Sequence, residues 1–152
     1  MQKMKALYRE KHTQIWELIR YVFAGGVTTL LSLVVSYASY MLMAENHTIN
    51  GATPGQVAIG NVISWIVAVI FAFWINRRMV FRVRFTTQKE RFTAFFQFVS
   101  ARVVSLLLFE VGLAAALSAL GVQNVFGRII VLILVMAFNY IASKFWIFKE
   151  KP

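Results

Sequence analysis

Four long apolar runs, at residues 21–43, 57–76, 98–120 and 125–146, leave this chain few ways to fold. At ~1.5 Å of rise per residue, a helix of this length crosses a ~30 Å hydrocarbon core with some tilt. Each run is therefore read as a membrane-spanning helix, and the chain as an all-α integral membrane protein. Composition agrees. Of 152 residues, 59% are hydrophobic and 14% charged, with a mean hydropathy of +0.66. A soluble domain averages ~45–50% apolar and ~25% charged.

The basic residues set the orientation. Lys3, Lys5, Arg9, Lys11 and Arg20 precede the first span. Arg77, Arg78, Arg82, Arg84, Lys89 and Arg91 fall between the second and third, and Lys144, Lys149 and Lys151 close the fourth. These are fourteen of the sixteen lysines and arginines, and the stretches 44–53 and 121–124 hold none. Positive residues stay on the cytoplasmic side. The expectation is a multi-pass protein of the cytoplasmic (inner) membrane with both termini inside. The net charge of +10 then reports topology, and no nucleic-acid partner is expected.

The chain is read as a single membrane domain, 1–152, with no cleaved signal peptide. Residues 1–20 are expected to form an amphipathic helical segment on the membrane surface, in preference to a mobile basic tail. There Met4, Leu7, Tyr8, Ile15, Trp16 and Ile19 would share one face, against Lys3, Lys5, Arg9 and Lys11. The first span opens with Phe23-Ala24-Gly25-Gly26 and carries Thr28, Thr29, Ser32 and Ser36, small and hydroxylated residues that let helices approach. Asn50-Gly51 marks a turn, and Asn46-His47-Thr48 matches a glycosylation sequon. Thr53, Pro54 and Gln56 read as a capped helix start, and Thr87 with Glu90 as another. Gly121 is a plausible helix stop and Asn124 a candidate cap.

The two halves resemble each other. Arg20-Tyr21-Val22-Phe23-Ala24-Gly25 aligns with Gln97-Phe98-Val99-Ser100-Ala101-Arg102. The exit Asn76-Arg77-Arg78-Met79-Val80-Phe81 aligns with Ser143-Lys144-Phe145-Trp146-Ile147-Phe148. Each half is a hairpin that starts and ends inside, so the repeat is parallel, about an axis along the membrane normal.

Chemistry is expected where charge enters the membrane. An ionised side chain at bilayer depth costs from ~2.5 to well over 10 kcal/mol, so such residues normally have partners or face a wet cavity. Arg77, Arg102 and Lys144 come from three spans and should lie near the cytoplasmic headgroup level. An arginine fork or a lysine there suits phosphate, with Asn76, Asn139 and Ser143 as neutral donors beside them. Arg77 and Lys144 also read simply as snorkelling topology determinants. Glu110 falls near the bilayer midplane, where burial would favour its neutral form. Its candidate partners are Arg102, Arg128, Tyr140 and Asn139, and it reads equally as a proton or charge site and as a structural interhelical lock. Trp74, Tyr140 and Trp146 read as an interfacial aromatic belt. With no cysteine, two distant histidines (His12 and His47), no phosphate loop and no nucleophile–base pair, neither a metal site nor an enzyme activity is expected.

The Phe23-Ala24-Gly25-Gly26 start, the Phe73-Trp74-Ile75-Asn76-Arg77-x-x-Val80-Phe81 exit, Arg102, and Asn139-Tyr140-x-x-Ser143-Lys144-Phe145-Trp146-Ile147-Phe148 together resemble the GtrA-like family of small four-helix membrane proteins. The resemblance covers about residues 21–148. It implies a role in making cell-surface polysaccharide or glycoconjugate; no cofactor is expected. In the usual form, the protein moves a polyprenyl-phosphate-linked sugar from the cytoplasmic to the outer leaflet. In the alternative it anchors or assists a partner glycosyltransferase. Four helices enclose little space, so a homo-oligomer is expected, with Phe23–Gly26 and the hydroxyl-rich first helix as its contact. A proton-coupled drug exporter would share the four helices and a midplane glutamate, but not the strong single orientation or the parallel repeat.

Overall fold

The computed structural model describes the backbone of residues 2–44, 51–121 and 124–149, and the side chains of residues 13–44, 51–121 and 125–149. The regular elements among its described residues are helices, in the order α1 (Gln2–Met43), α2 (Pro54–Ile75), α3 (Gln88–Ser105), α4 (Ala114–Ala119) and α5 (Asn124–Ala142). Three widened π-helical segments extend or join them: Asn76–Val80, Leu106–Leu113 and Ser143–Ile147. Four helical stretches are long and apolar enough to cross a membrane: Thr13–Met43, Pro54–Val80, Gln88–Ala119 and Val125–Ile147. The chain is an all-α integral membrane protein.

Helix α1 runs without a break from Gln2. The boundary expected at Arg20–Tyr21 is therefore not a helix end. The side chains of residues 1–12, and with them most of the expected amphipathic face, lie outside the described residues. The sequon at 46–48 and the Asn124 side chain lie outside them too.

The chain divides into two compact units, Met1–Arg82 and Val83–Pro152. In the first, α1 and α2 pair antiparallel. Tyr40 donates its hydroxyl to Asn61. The Ser32 and Ser64 hydroxyls bond at 3.0 Å, and the Tyr21 and Phe81 rings meet with centroids 6.4 Å apart. The buried face of α2 carries Gly60, Ser64, Ala68 and Ala72, one small residue per turn. Large apolar residues such as Ile59, Ile66, Ile70 and Trp74 are exposed. This is packing for lipid, where small residues let helix backbones approach and large ones face the acyl chains. A Cβ on Gly60 would lie 2.6 Å from the Tyr40 ring, so the close approach depends on glycine there.

The start of α2 carries the expected cap. Thr53 Oγ1 accepts from the Gln56 amide at 3.4 Å, and Gln56 Oε1 accepts from the Thr53 amide at 2.8 Å. The same Gln56 donates from Nε2 to the Met43 carbonyl at 2.7 Å, tying the two helix ends together. At α3 the box is only half made. Thr87 Oγ1 accepts from the Glu90 amide, but the Glu90 carboxylate takes both the amide and the hydroxyl of Thr86 rather than the Thr87 amide.

In the second unit α3, the segment Leu106–Leu113 and α4 form one long helical stretch beside α5. The pairing is again antiparallel. Phe109 meets Phe138 at 5.6 Å, Asn139 bonds Ser105, and Phe98 meets Phe148 at 6.2 Å. Gly121 ends the stretch with a φ of +73°, the left-handed stop that only glycine adopts without cost. Both exits widen in the same way. The Phe81 amide bonds the Asn76 carbonyl at 2.9 Å, and the Phe148 amide bonds the Ser143 carbonyl at 2.8 Å. In each unit the exit phenylalanine packs on an aromatic ring of the preceding long helix, Tyr21 or Phe98.

Candidate functional site

Arg102 lies in the last turn of α3, inside the third span. Its side chain is half-buried, with the guanidinium carbon 5.1 Å from the centroid of the Phe98 ring, a cation–π contact. Phe98 is almost wholly buried and backed by Phe148, which in turn stacks with Phe85. The arginine is thus held by an aromatic wall rather than by a carboxylate. Its Nε is buried and has no hydrogen-bond partner among the described residues.

One turn on, Ser105 donates to the Arg102 carbonyl at 2.9 Å and accepts from Asn139 Nδ2 of α5 at 3.0 Å. Asn139 also donates to the Val135 carbonyl at 2.9 Å. Ser143, 2% exposed, opens the π-helical exit. Lys144 follows, half-buried, its Nζ donating to the Tyr140 hydroxyl at 3.1 Å and lying near the Tyr140 and Phe145 rings. Of the six residues expected at a phosphate site, the second unit therefore holds Arg102, Asn139, Ser143 and Lys144. Asn139 serves a helix-to-helix bond there, and Lys144 is braced by a phenol.

Asn76 and Arg77 belong to the first unit, at the start of its widened exit. Asn76 is 2% exposed and donates to the Ala72 carbonyl at 2.7 Å. Its Oδ1 is buried without a hydrogen-bond partner among the described residues. Arg77 is half-buried, whereas Arg78, Arg82 and Arg84 are exposed, as solvated topology residues should be.

Glu110 lies in the widened segment Leu106–Leu113 and is exposed on the protein surface. None of its expected partners reaches it. Asn139 is engaged by Ser105 and Val135, Tyr140 receives the lysine, Arg102 sits on Phe98, and Arg128 is itself exposed.

Two features of the site were not expected from the sequence. The first is Ser105, the acceptor that joins α3 to α5. The second is a groove of about 750 Å³ between α3 and α5, with Lys89, Thr93, Gln97 and Ser100 on one wall and Phe138 and Trp146 on the other. The signal for it is one polar residue per turn of α3, on the side away from Phe98.

Comparison with known proteins agrees with this architecture. Residues 20–148 match the family model described as GtrA/DPMS, transmembrane domain. Similar curated proteins include two that are each called cell wall teichoic acid glycosylation protein GtcA. The one from Listeria monocytogenes serovar 1/2a is 26% identical over 91% of this chain and 88% of its own length. The one from Listeria innocua serovar 6a is 26% identical over 90% of this chain and 88% of its own. No solved structure matches. A match across nearly all of a chain whose fold is four membrane-spanning helices makes this multi-pass protein a member of the GtrA/DPMS transmembrane-domain family.

Proposed function

We propose that this protein serves the glycosylation of a cell-wall polymer by moving a polyprenyl-phosphate-linked sugar from the cytoplasmic to the outer leaflet of the inner membrane. The relatives named for teichoic acid glycosylation supply the pathway class. The observation that carries the transport step is Arg102. An arginine within a membrane span, half-buried on an aromatic ring and with no carboxylate partner among the described residues, suits an anion. The phosphate of a lipid-linked sugar supplies one, and the guanidinium fork matches its geometry. The basic ends of the helices face the cytoplasm, so Arg102 lies in the inner half of the bilayer. The lipid tail stays in the bilayer while the headgroup travels. The chain needs no catalytic chemistry of its own for this.

A headgroup-flip assay tests the reading. The purified chain is placed in liposomes with a short-chain prenyl-phosphate glucose, and an impermeant reagent reports leaflet exposure. Flipping by the parent that is lost in Arg102→Ala supports it. No flipping by folded parent protein overturns it.

A second reading rests on the exposed arginines Arg78, Arg82, Arg84 and Arg91. They offer a basic surface on which a partner glycosyltransferase could be seated. In that reading the chain does not itself transport: substitutions there would uncouple the pair, while Arg102 and Glu110 would be dispensable.

A further inference from the structure

The groove of the second unit has a composition the transport reading leaves unused. It starts at Lys89, in the first turn of α3, and ends at Val104 and Phe138. Along α3 that is ~22 Å of descent from the membrane surface towards the bilayer interior. Lys89 is exposed at the upper end. Below it Thr93, Gln97 and Ser100 follow at one per turn, and none of their side chains has a hydrogen-bond partner among the described residues. Phe96 and Trp146, 64% and 70% exposed, present aromatic surface beside them. The floor at Val104 and Phe138 is apolar. The volume of about 750 Å³ falls within the range of small-molecule sites, which combine apolar walls with a few placed polar groups.

We infer that this groove is the inner-leaflet loading site for the sugar of a glycosylated isoprenoid phosphate. The inference rests on the transport reading and adds the place where the sugar is held. Lys89 meets the phosphate. Thr93, Gln97 and Ser100 exchange hydrogen bonds with sugar hydroxyls, and Phe96 and Trp146 cover the apolar C–H face of the ring. An acyl chain in the same place would leave three polar side chains unpaired, which costs free energy at that depth. The occupant therefore carries hydroxyls below the level of its charge. Because the groove opens to the side, the isoprenoid tail remains in lipid. Because its floor is apolar, the site holds the sugar before transfer and is not the whole path.

The test is equilibrium binding to the full chain in nanodiscs, with three probes: a short-chain prenyl-phosphate glucose, the same prenyl phosphate without sugar, and phosphatidylglycerol. Gln97→Leu combined with Ser100→Ala is expected to weaken the glucosylated probe ~tenfold, the scale of one or two lost hydrogen bonds. The sugar-free probe should hold within about twofold, because its phosphate contact is untouched. Lys89→Ala should weaken both prenyl phosphates. The parent has no cysteine, so Ala101→Cys gives a single thiol in the groove whose maleimide labelling the glucosylated probe should slow several-fold. Unchanged binding by the double variant, unchanged labelling, or equal binding of phosphatidylglycerol overturns the groove assignment. If the parent still flips the glucosylated lipid in that case, the transport reading stands alone. A parent that neither binds nor flips it overturns both.

Discussion

Asn139 of α5 donates to Ser105 of α3 at 3.0 Å, and the same serine hydroxyl donates to the carbonyl of Arg102 at 2.9 Å. Both side chains are buried. A short relay thus links the facing helix to the backbone of the arginine. Hydrogen bonds between membrane helices contribute ~0.6–1.7 kcal/mol. A double-mutant cycle of Ser105→Ala and Asn139→Leu, read by unfolding in detergent, should return a coupling in that range. Strictly additive effects would mean that the bond contributes nothing.

Arg102 is expected to matter for function more than for folding. Its guanidinium makes a cation–π pair with Phe98, worth ~0.5–2 kcal/mol. Arg102→Ala should abolish flipping while the protein stays folded. Arg102→Lys keeps the charge but loses the fork, so flipping should fall ~tenfold or more. Full activity of Arg102→Lys would show that a point charge suffices.

Two glycines should behave oppositely. Gly60→Ala sets a Cβ against a Tyr40 ring whose hydroxyl is anchored on Asn61, and overpacking of this kind costs ~1–3 kcal/mol. Gly25→Ala meets nothing within 4 Å. It should leave the fold unchanged or stabilise it by up to ~1 kcal/mol through helix propensity. A change in oligomeric state with Gly25→Ala, measured by light scattering in detergent, would identify Phe23–Gly26 as a contact between copies.

Arg82 follows the exit of the first unit with a φ of +54°, a left-handed conformation that costs a non-glycine residue ~1–2 kcal/mol. Arg82→Gly is expected to raise unfolding stability by roughly 1 kcal/mol. A loss of stability would mean that the arginine side chain offsets its backbone strain.

Glu110 is exposed and unbonded among the described residues. Glu110→Gln should therefore keep unfolding stability within ~0.5 kcal/mol, as surface substitutions usually do. Under the transport reading, flipping should fall. A large loss of folded protein would restore the structural-lock role.

The four spans, the caps at Thr53 and Thr87 and the stop at Gly121 are legible in the amino-acid sequence. Each depends on chemistry local to a few turns. Length of apolar chain decides spanning, a hydroxyl decides a helix start, and glycine decides a left-handed stop. The candidate site is legible in its members, because a charge within an apolar run stands out. Its wiring is not. No pattern tells Asn139 to choose Ser105 over Glu110, or Arg102 to lie on Phe98.

The continuity of α1 through Arg20, the widened turns at Asn76, Leu106 and Ser143, the outward position of Glu110 and the groove beside α3 were decided only by tertiary structure. The reason lies in the solvent. In water, burial separates apolar from polar residues, so sequence period reveals the inner face. In a bilayer the acyl chains are as apolar as leucine, and that contrast disappears. Ile66 and Phe96 face outward while Ser64, Asn76 and Asn139 are buried. Composition therefore determined that this chain crosses the membrane four times, and close packing of small and polar side chains decided which surfaces meet.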